Sequence, residues 1–157
     1  MNILVLCTGN SARSILLETI LTHRSEGRIK AWSAGSKPAG QVHPQSITLL
    51  EQMGFPTDGL TSQSWDDYAK PDAPVMDAVI TVCGSAAEEQ CPYWPGAPVR
   101  AHWGVEDPAA APIEAQPAAF LAAYEKLSAR ALTFFGLPFE TMDNTVLQTS
   151  LNKIGQL

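Results

Sequence analysis

Cys7 and Arg13 bracket five small or polar residues, Thr8, Gly9, Asn10, Ser11 and Ala12, and Ser14 follows directly. That spacing suits the capture of a tetrahedral oxyanion beside a nucleophile. Backbone N–H groups of a small-residue loop at a helix N-terminus present several donors and a positive potential to an anion. The Arg13 guanidinium would add a planar two-pronged donor that lysine cannot copy. The same field is expected to lower the pKa of Cys7, whose thiolate is the nucleophilic form, and the Ser14 hydroxyl is placed to donate to that sulfur. The competing reading is an ordinary strand-to-helix loop with an accidental cysteine and arginine. The surrounding pattern weighs against it, because strand, loop and helix all fall where the chemistry needs them.

A strand must deliver Cys7, and Ile3 to Leu6 is a short continuous apolar run of the kind buried in a parallel sheet. After the loop, Ile15, Leu16, Ile20 and Leu21 keep helical spacing from Ala12 to a stop at Gly27. Ile29 to Ser33 alternates as a second strand, and Pro44 to Met53 reads as a second helix with Pro44 in its first turn and Gly54 at its end. A short helix is expected from Gln63 to Tyr68. Asp77 to Val82 is a third strand leading into Cys83, and Pro98 to His102 a weaker fourth leading into the acidic turn Gly104 to Pro108. Gln116 to Phe135 is the strongest helix, with Phe120, Tyr124, Leu127 and Ala131 on one broad face and Gly136 and Pro138 behind it.

Strands alternating with helices predict an α/β fold: a single-domain three-layer sandwich with a four-stranded parallel sheet flanked by helices. Residues 1–138 carry that pattern. Residues 139–157 form a C-terminal extension whose modest periodicity, in Val146, Leu147, Leu151 and Ile154, fits a frayed helix, a tail or an oligomer contact. Ligands of such sheets sit outside the carboxyl ends of the strands, so Cys7, Cys83 and the acidic turn are expected to face one crevice.

Composition sets the outer bounds. The 157 residues are 45% apolar and 17% charged, which fits one packed domain and not a disordered chain. A net charge of −6 argues against a broad basic surface for nucleic acid. The longest apolar runs fall far short of the roughly 20 residues that cross a bilayer, and Met1-Asn2 enters Ile3 without a basic stretch or cleavage site, so a cytoplasmic location is expected. Three cysteines, Cys7, Cys83 and Cys91, do not make a disulfide framework; buried inert thiols are the bland alternative for each.

The eight residues Cys7 to Ser14 resemble the phosphate-binding loop of the low-molecular-weight protein tyrosine phosphatase superfamily, and the chain is most similar to its thioredoxin-coupled arsenate reductases. The likeness continues through Ser33-Ala34-Gly35, Thr61-Ser62, Val82-Cys83 with Cys91-Pro92, and His102-Trp103-Gly104 leading to Asp107-Pro108, over roughly residues 1 to 135. The resemblance implies that Cys7 attacks arsenate held by the loop amides and Arg13, while Asp107 protonates the departing oxygen. It further implies that Cys83 attacks the Cys7–arsenic adduct, releasing arsenite, and that Cys91 then takes over the disulfide for reduction by thioredoxin. Phosphate and sulfate would compete as oxyanions. No bound cofactor is implied, and a glutathione and glutaredoxin route would need only the first resolving thiol. A Cys83–Cys91 bond requires the intervening Gly84 to Gln90 to fold back, because disulfide Cα atoms lie within about 7 Å.

The chain departs from that family pattern in specific places. Cys83 and Cys91 stand one residue farther apart than is usual. Potassium-binding reductases carry an Asp after the Thr-Ser pair where this chain has Gln63; Asn10, Glu18 and Ser33 match the other side-chain positions, so weak or absent potassium dependence is expected. A phosphatase acting through a cysteinyl-phosphate is the nearest rival. Tyrosine phosphatases of the family usually follow the Asp-Pro pair with aromatic residues, and here Ala109-Ala110-Ala111 follow. A non-catalytic oxyanion or redox sensor would have no use for Asp107. A metal site from Cys83, Cys91 and His102 offers only three ligands without C-x-x-C spacing, so no metal is assigned. His43 reads as a helix-start residue, His23 as a surface residue and Trp103 as packing behind the acidic loop.

Overall fold

The computed structural model describes residues 1–84, 94, 96 and 98–157. Four strands, β1 (Asn2–Leu6), β2 (Lys30–Ala34), β3 (Ala78–Thr81) and β4 (Val99–His102), form one sheet in the order β2-β1-β3-β4. Every pairing is parallel, with Leu6 opposite both Ala34 and Thr81, and Thr81 opposite His102. The carboxyl ends of all four strands therefore come level at one side of the sheet. Among the described residues the α-helices are α1 (Arg13–Arg24), α2 (Pro44–Gln52), α3 (Gln116–Phe135) and α4 (Asn144–Ile154), and 3-10 turns include Trp65–Tyr68.

Side-chain alternation along β1 explains the layering. Ile3 and Val5 enter a large core with Ile15, Leu16, Leu50, Phe120, Leu127 and Phe134 from the helices, and Leu4 and Leu6 enter a smaller one with Met76, Val79 and Trp94. β1 is buried on both faces, which is why its sequence reads as a continuous apolar run rather than an alternation. The sequence-predicted strands and helices match within one or two residues, and Gln116–Phe135 matches at both ends. The Gln63 to Tyr68 helix is a 3-10 turn starting at Trp65, with the Ser64 hydroxyl capping Asp66 N. His43 caps α2, its Nδ1 accepting from Gln45 N at 3.1 Å, and His23 is exposed.

The extension is ordered by packing. Asp143 accepts from Val146 N at 2.9 Å to start α4, and Leu147, Leu151 and Ile154 are buried in the large core. Gln148 pairs with both the N–H and the carbonyl of Arg100, standing in for a fifth strand along the open edge of β4. No helix among the described residues is long and apolar enough to cross a membrane. Cys91, and the 85–90 stretch expected to fold back on Cys83, lie outside the described residues.

Candidate active site

Residues 7–12 have to turn the chain from β1 into α1 within six positions. Asn10 makes the turn with a left-handed φ of 46°, a conformation asparagine tolerates better than most residues. Three of the loop carbonyls are taken from outside: Thr8 O accepts from Lys37 N at 3.0 Å, Gly9 O from Ala39 N at 2.9 Å, and Ser11 O from His43 N at 3.0 Å and Ser46 Oγ at 2.9 Å. In a planar trans peptide the N–H points opposite to the C=O, so the N–H groups of Gly9, Asn10 and Ala12 turn inward. α1 has no side-chain N-cap, which leaves its first amides available for an anion. The result is a cavity of about 80 Å³ lined by Cys7, Gly9 to Arg13, Asp107 and Ala109.

Two neighbours hold the loop in this shape. Gly35, just after β2, passes so close that a Cβ there would strike Thr8 O and lie 2.7 Å from Cys7 O. Beneath the loop, buried Asn10 donates to Ser14 Oγ at 2.8 Å and Ser33 Oγ at 2.9 Å, and its Oδ1 accepts from Gln63 N at 2.9 Å. Ser33 Oγ donates in turn to Glu18 Oε2 at 2.8 Å. Burial pushes the Glu18 carboxyl up to about 7 against the opposing effect of the Ser33 bond. The Gln63 side-chain amide donates to Ser33 O at 2.5 Å. Thus the four positions Asn10, Glu18, Ser33 and Gln63 do meet, joined by an amide donor where a carboxylate would have faced a cation.

The sequence-predicted catalytic residues converge as follows. Arg13, mostly buried, donates from Nη1 to Val105 O at 3.0 Å and holds Nη2 3.7 Å from Asp107 Oδ2. Its Nε is buried without a hydrogen-bond partner among the described residues. Asp107 caps the 3-10 turn Pro108–Ala110 through Oδ1, which accepts from Ala109 N at 3.0 Å, and its side chain remains 44% exposed at the cavity mouth. Cys7 and Cys83 are buried thiols hydrogen-bonded to one another. Cys83 Sγ also accepts from Thr8 N at 3.3 Å.

Two expectations for the loop are corrected. The Cys7 thiol is held above its ordinary pKa, not below it, because the hydrogen bond with Cys83 and then burial favour the neutral form and outweigh the opposing pull of Arg13. Loop spacing alone announces the cation and the helix end; it does not announce a second thiol at the end of β3. Ser14, fully buried, accepts from Asn10, the hydrogen bond its hydroxyl makes in this structure, in place of the expected contact with Cys7. Within the predicted oxyanion set the Thr8 amide likewise turns to Cys83, while Gly9 to Arg13 line the cavity. Sequence reasoning did not anticipate the Val105 carbonyl as the anchor of Arg13, since a backbone group carries no residue signature.

Beside the cavity, and sharing Asp107 with it, a cleft of about 600 Å³ opens between the acidic loop and α3, walled largely by alanines such as Ala111, Ala119 and Ala122 with Lys126 at its far side. No group of three or more His, Cys, Asp or Glu among the described residues is placed to hold a metal ion.

Comparison with known proteins places this geometry. The arsenate reductase of Bacillus subtilis (strain 168) is 36% identical over 106 residues, 68% of this chain and 73% of that protein. A solved arsenate reductase in the intermediate state superposes with a TM-score of 0.66 at 26% identity, covering 86% of this chain and 96% of that one. The thioredoxin-dependent arsenate reductase of Corynebacterium glutamicum shares the fold at 21% identity and a TM-score of 0.63, over 86% of this chain and 60% of its own. The sequence profile of the low molecular weight phosphotyrosine protein phosphatases matches residues 2–147, and the chain belongs to that family.

Proposed function

We propose that the protein reduces arsenate to arsenite, with Cys7 as nucleophile, Arg13 and the loop amides as oxyanion ligands, Asp107 as general acid, and Cys83 and Cys91 as the redox pair. The observation that carries this reading is the contact of Cys83 with the Cys7 thiol, which itself lines an oxyanion-sized cavity. Hydrolysis of a phosphate ester requires only the first thiol; two adjacent thiols can deliver two electrons.

Arsenate enters against the amides of Gly9, Asn10 and Ala12 and the Arg13 fork. The Cys7 thiolate attacks arsenic, and the displaced oxygen leaves as water with a proton from Asp107. Displacing Cys83 from its hydrogen bond with Cys7 removes the largest influence keeping the proton on that sulfur. The Cys83 thiolate then attacks the Cys7 sulfur: the S–As bond breaks, its electron pair stays on arsenic, and As(V) becomes As(III) as a Cys7–Cys83 disulfide forms. Cys91 attacks Cys83 and frees Cys7 as thiolate, and a thioredoxin dithiol reduces the Cys83–Cys91 bond. The likeness to relatives named as arsenate reductases, one of them thioredoxin-dependent, supports both the substrate and the donor, and such chemistry belongs in a reducing cytoplasm.

The family profile favours a second reading, a phosphatase using the same Cys7, Arg13 and Asp107. Among the described residues the alanine-walled cleft beside Asp107 offers no aromatic face to stack on a phosphotyrosine ring, which weighs toward the inorganic oxyanion. The test is arsenate-dependent NADPH consumption with thioredoxin and its reductase, run beside aryl phosphate hydrolysis. Arsenate turnover that Cys83→Ala and Cys91→Ala abolish, with ester hydrolysis retained, is the expected result. Brisk ester hydrolysis with no arsenate turnover would establish the phosphatase, and silence in both would leave an oxyanion or redox sensor.

A further inference from the structure

The general acid sits on a segment with little regular structure, so something else must fix its position. That segment leaves β4 at His102 and reaches Asp107 through Trp103, Gly104, Val105 and Glu106. β3 holds it from one side: Trp103 N donates to Thr81 O at 2.7 Å, and Val105 N to Val82 O at 3.1 Å. From the other side Trp103, fully buried, donates from Nε1 to Leu151 O of α4 at 3.0 Å. Gly155, at the end of α4, lies so close that a Cβ there would strike His102 O and come within 3.0 Å of Trp103 Cδ1. Between these contacts stands Arg130 of α3, only 3% exposed, donating from Nη1 to Gly104 O at 3.1 Å and from Nη2 to Leu157 O at 3.1 Å.

Arg130 is a costly way to fill this space. It lies on the apolar face of α3 beside buried Leu127, Ala131 and Phe134, and no Asp or Glu side chain among the described residues forms an ion pair with it. A buried cation held by main-chain oxygens, with no acidic side chain beside it, contributes poorly to stability compared with an apolar side chain of similar volume. What it does supply is two rigid donors that tie α3 to Leu157, three residues past α4, and to the carbonyl one residue before Val105. Val105 is the residue whose own carbonyl anchors Arg13.

We propose that Arg130 is a positioning residue for the acid step: by holding the Gly104 carbonyl it sets where Asp107 and the Val105 carbonyl stand relative to Cys7 and Arg13. The inference rests on the reading of Asp107 as general acid. It gives the last residues of the chain, beyond the 2–147 family match, a part in catalysis that acts through main-chain contacts and not through a residue at the cavity.

The test uses the full chain and two aryl phosphates, one with an acidic leaving phenol and one with a basic leaving phenol. Only the second depends strongly on proton donation. Arg130→Met is expected to lower kcat about tenfold or more for the basic leaving group and about threefold or less for the acidic one, with Arg130→Lys recovering part of the difference. Asp107→Asn gives the reference pattern. If that variant shows no leaving-group dependence, the acid reading itself is wrong, whatever Arg130 does. Equal losses on both esters, or none, in Arg130→Met would overturn the positioning role while leaving the acid reading intact. Amide hydrogen exchange supplies a readout independent of turnover. Faster exchange confined to Val105 and Ala109 is expected; exchange unchanged there, or raised evenly across β1 and β3, would mark Arg130 as merely structural. Should Arg130→Met fail to fold, Arg130→Lys carries the same comparisons.

Discussion

The Cys7 and Cys83 thiols are hydrogen-bonded to each other across the carboxyl ends of β1 and β3, although 75 residues of chain separate them. Parallel register makes the meeting unavoidable. Leu6 is opposite Thr81, so the residues just beyond each strand end emerge side by side. One consequence is chemical: the two sulfurs stand within reach of each other, the contact that a disulfide between them requires. Another is electrostatic: a hydrogen bond from the Cys7 S–H to the Cys83 sulfur, and negative charge on that sulfur when Cys83 ionises, both favour the protonated form of Cys7 over its thiolate.

Removing that neighbour should therefore release Cys7. In Cys83→Ala the hydrogen bond that most raises the Cys7 pKa is gone while Arg13 remains, so the apparent pKa of Cys7 falls. Thiolate absorbance and iodoacetamide alkylation rate as functions of pH measure it. An unchanged titration would mean that burial alone sets the Cys7 pKa.

Glu18 predicts a pH dependence of stability. Its folded pKa of about 7 lies above the unfolded value of 4.5, so the folded state binds the proton more tightly. Its contribution is fully present below about pH 4.5, declines as pH rises, and is lost above about pH 7, an effect on the order of 3 kcal/mol. Urea midpoints taken between pH 5 and 8 should fall in the wild type and flatten in Glu18→Gln. A slope that persists in the variant would assign the effect to another group.

Gly35→Ala should damage the loop from outside the cavity. The added methyl would press on the Thr8 and Cys7 carbonyl oxygens, both backbone atoms with no rotamer to yield. A loss of about 1–3 kcal/mol in stability is expected together with weaker phosphate binding. Equilibrium denaturation and calorimetric titration with phosphate check the two effects. Full retention of phosphate affinity would show that the loop shape does not depend on this contact.

Potassium should have little effect on this protein. The Gln63 amide donates to Ser33 O, so a neutral N–H donor stands at the position where the resemblance puts a carboxylate to face a cation. Thermal unfolding in potassium chloride and in tetramethylammonium chloride at equal ionic strength is expected to coincide, and Gln63→Asp to separate the two curves. A potassium-dependent wild type would place the ion elsewhere.

The chain's local patterns determined the elements and half of the site by themselves. The apolar run Ile3 to Leu6, the helical spacing after Ala12 and the stop at Gly136 state their structures because burial on one face of a helix or both faces of a strand imposes a period. The Cys7 to Ser14 spacing states an oxyanion loop because its donors are backbone groups of consecutive residues. Tertiary structure alone decided the charge state of Cys7, the use of the Thr8 amide and Ser14 hydroxyl, and the place of α4. The first two and the last depend on a partner from a distant segment, Cys83 or Trp103, set by strand register and core packing. Ser14 bonds Asn10, four residues before it, which distant Ser33 and Gln63 hold in place. Arg130 left a faint trace in the sequence, a lone cation on the apolar stripe of α3. Which carbonyl it holds could only be read once the helix and the acidic loop had been brought together.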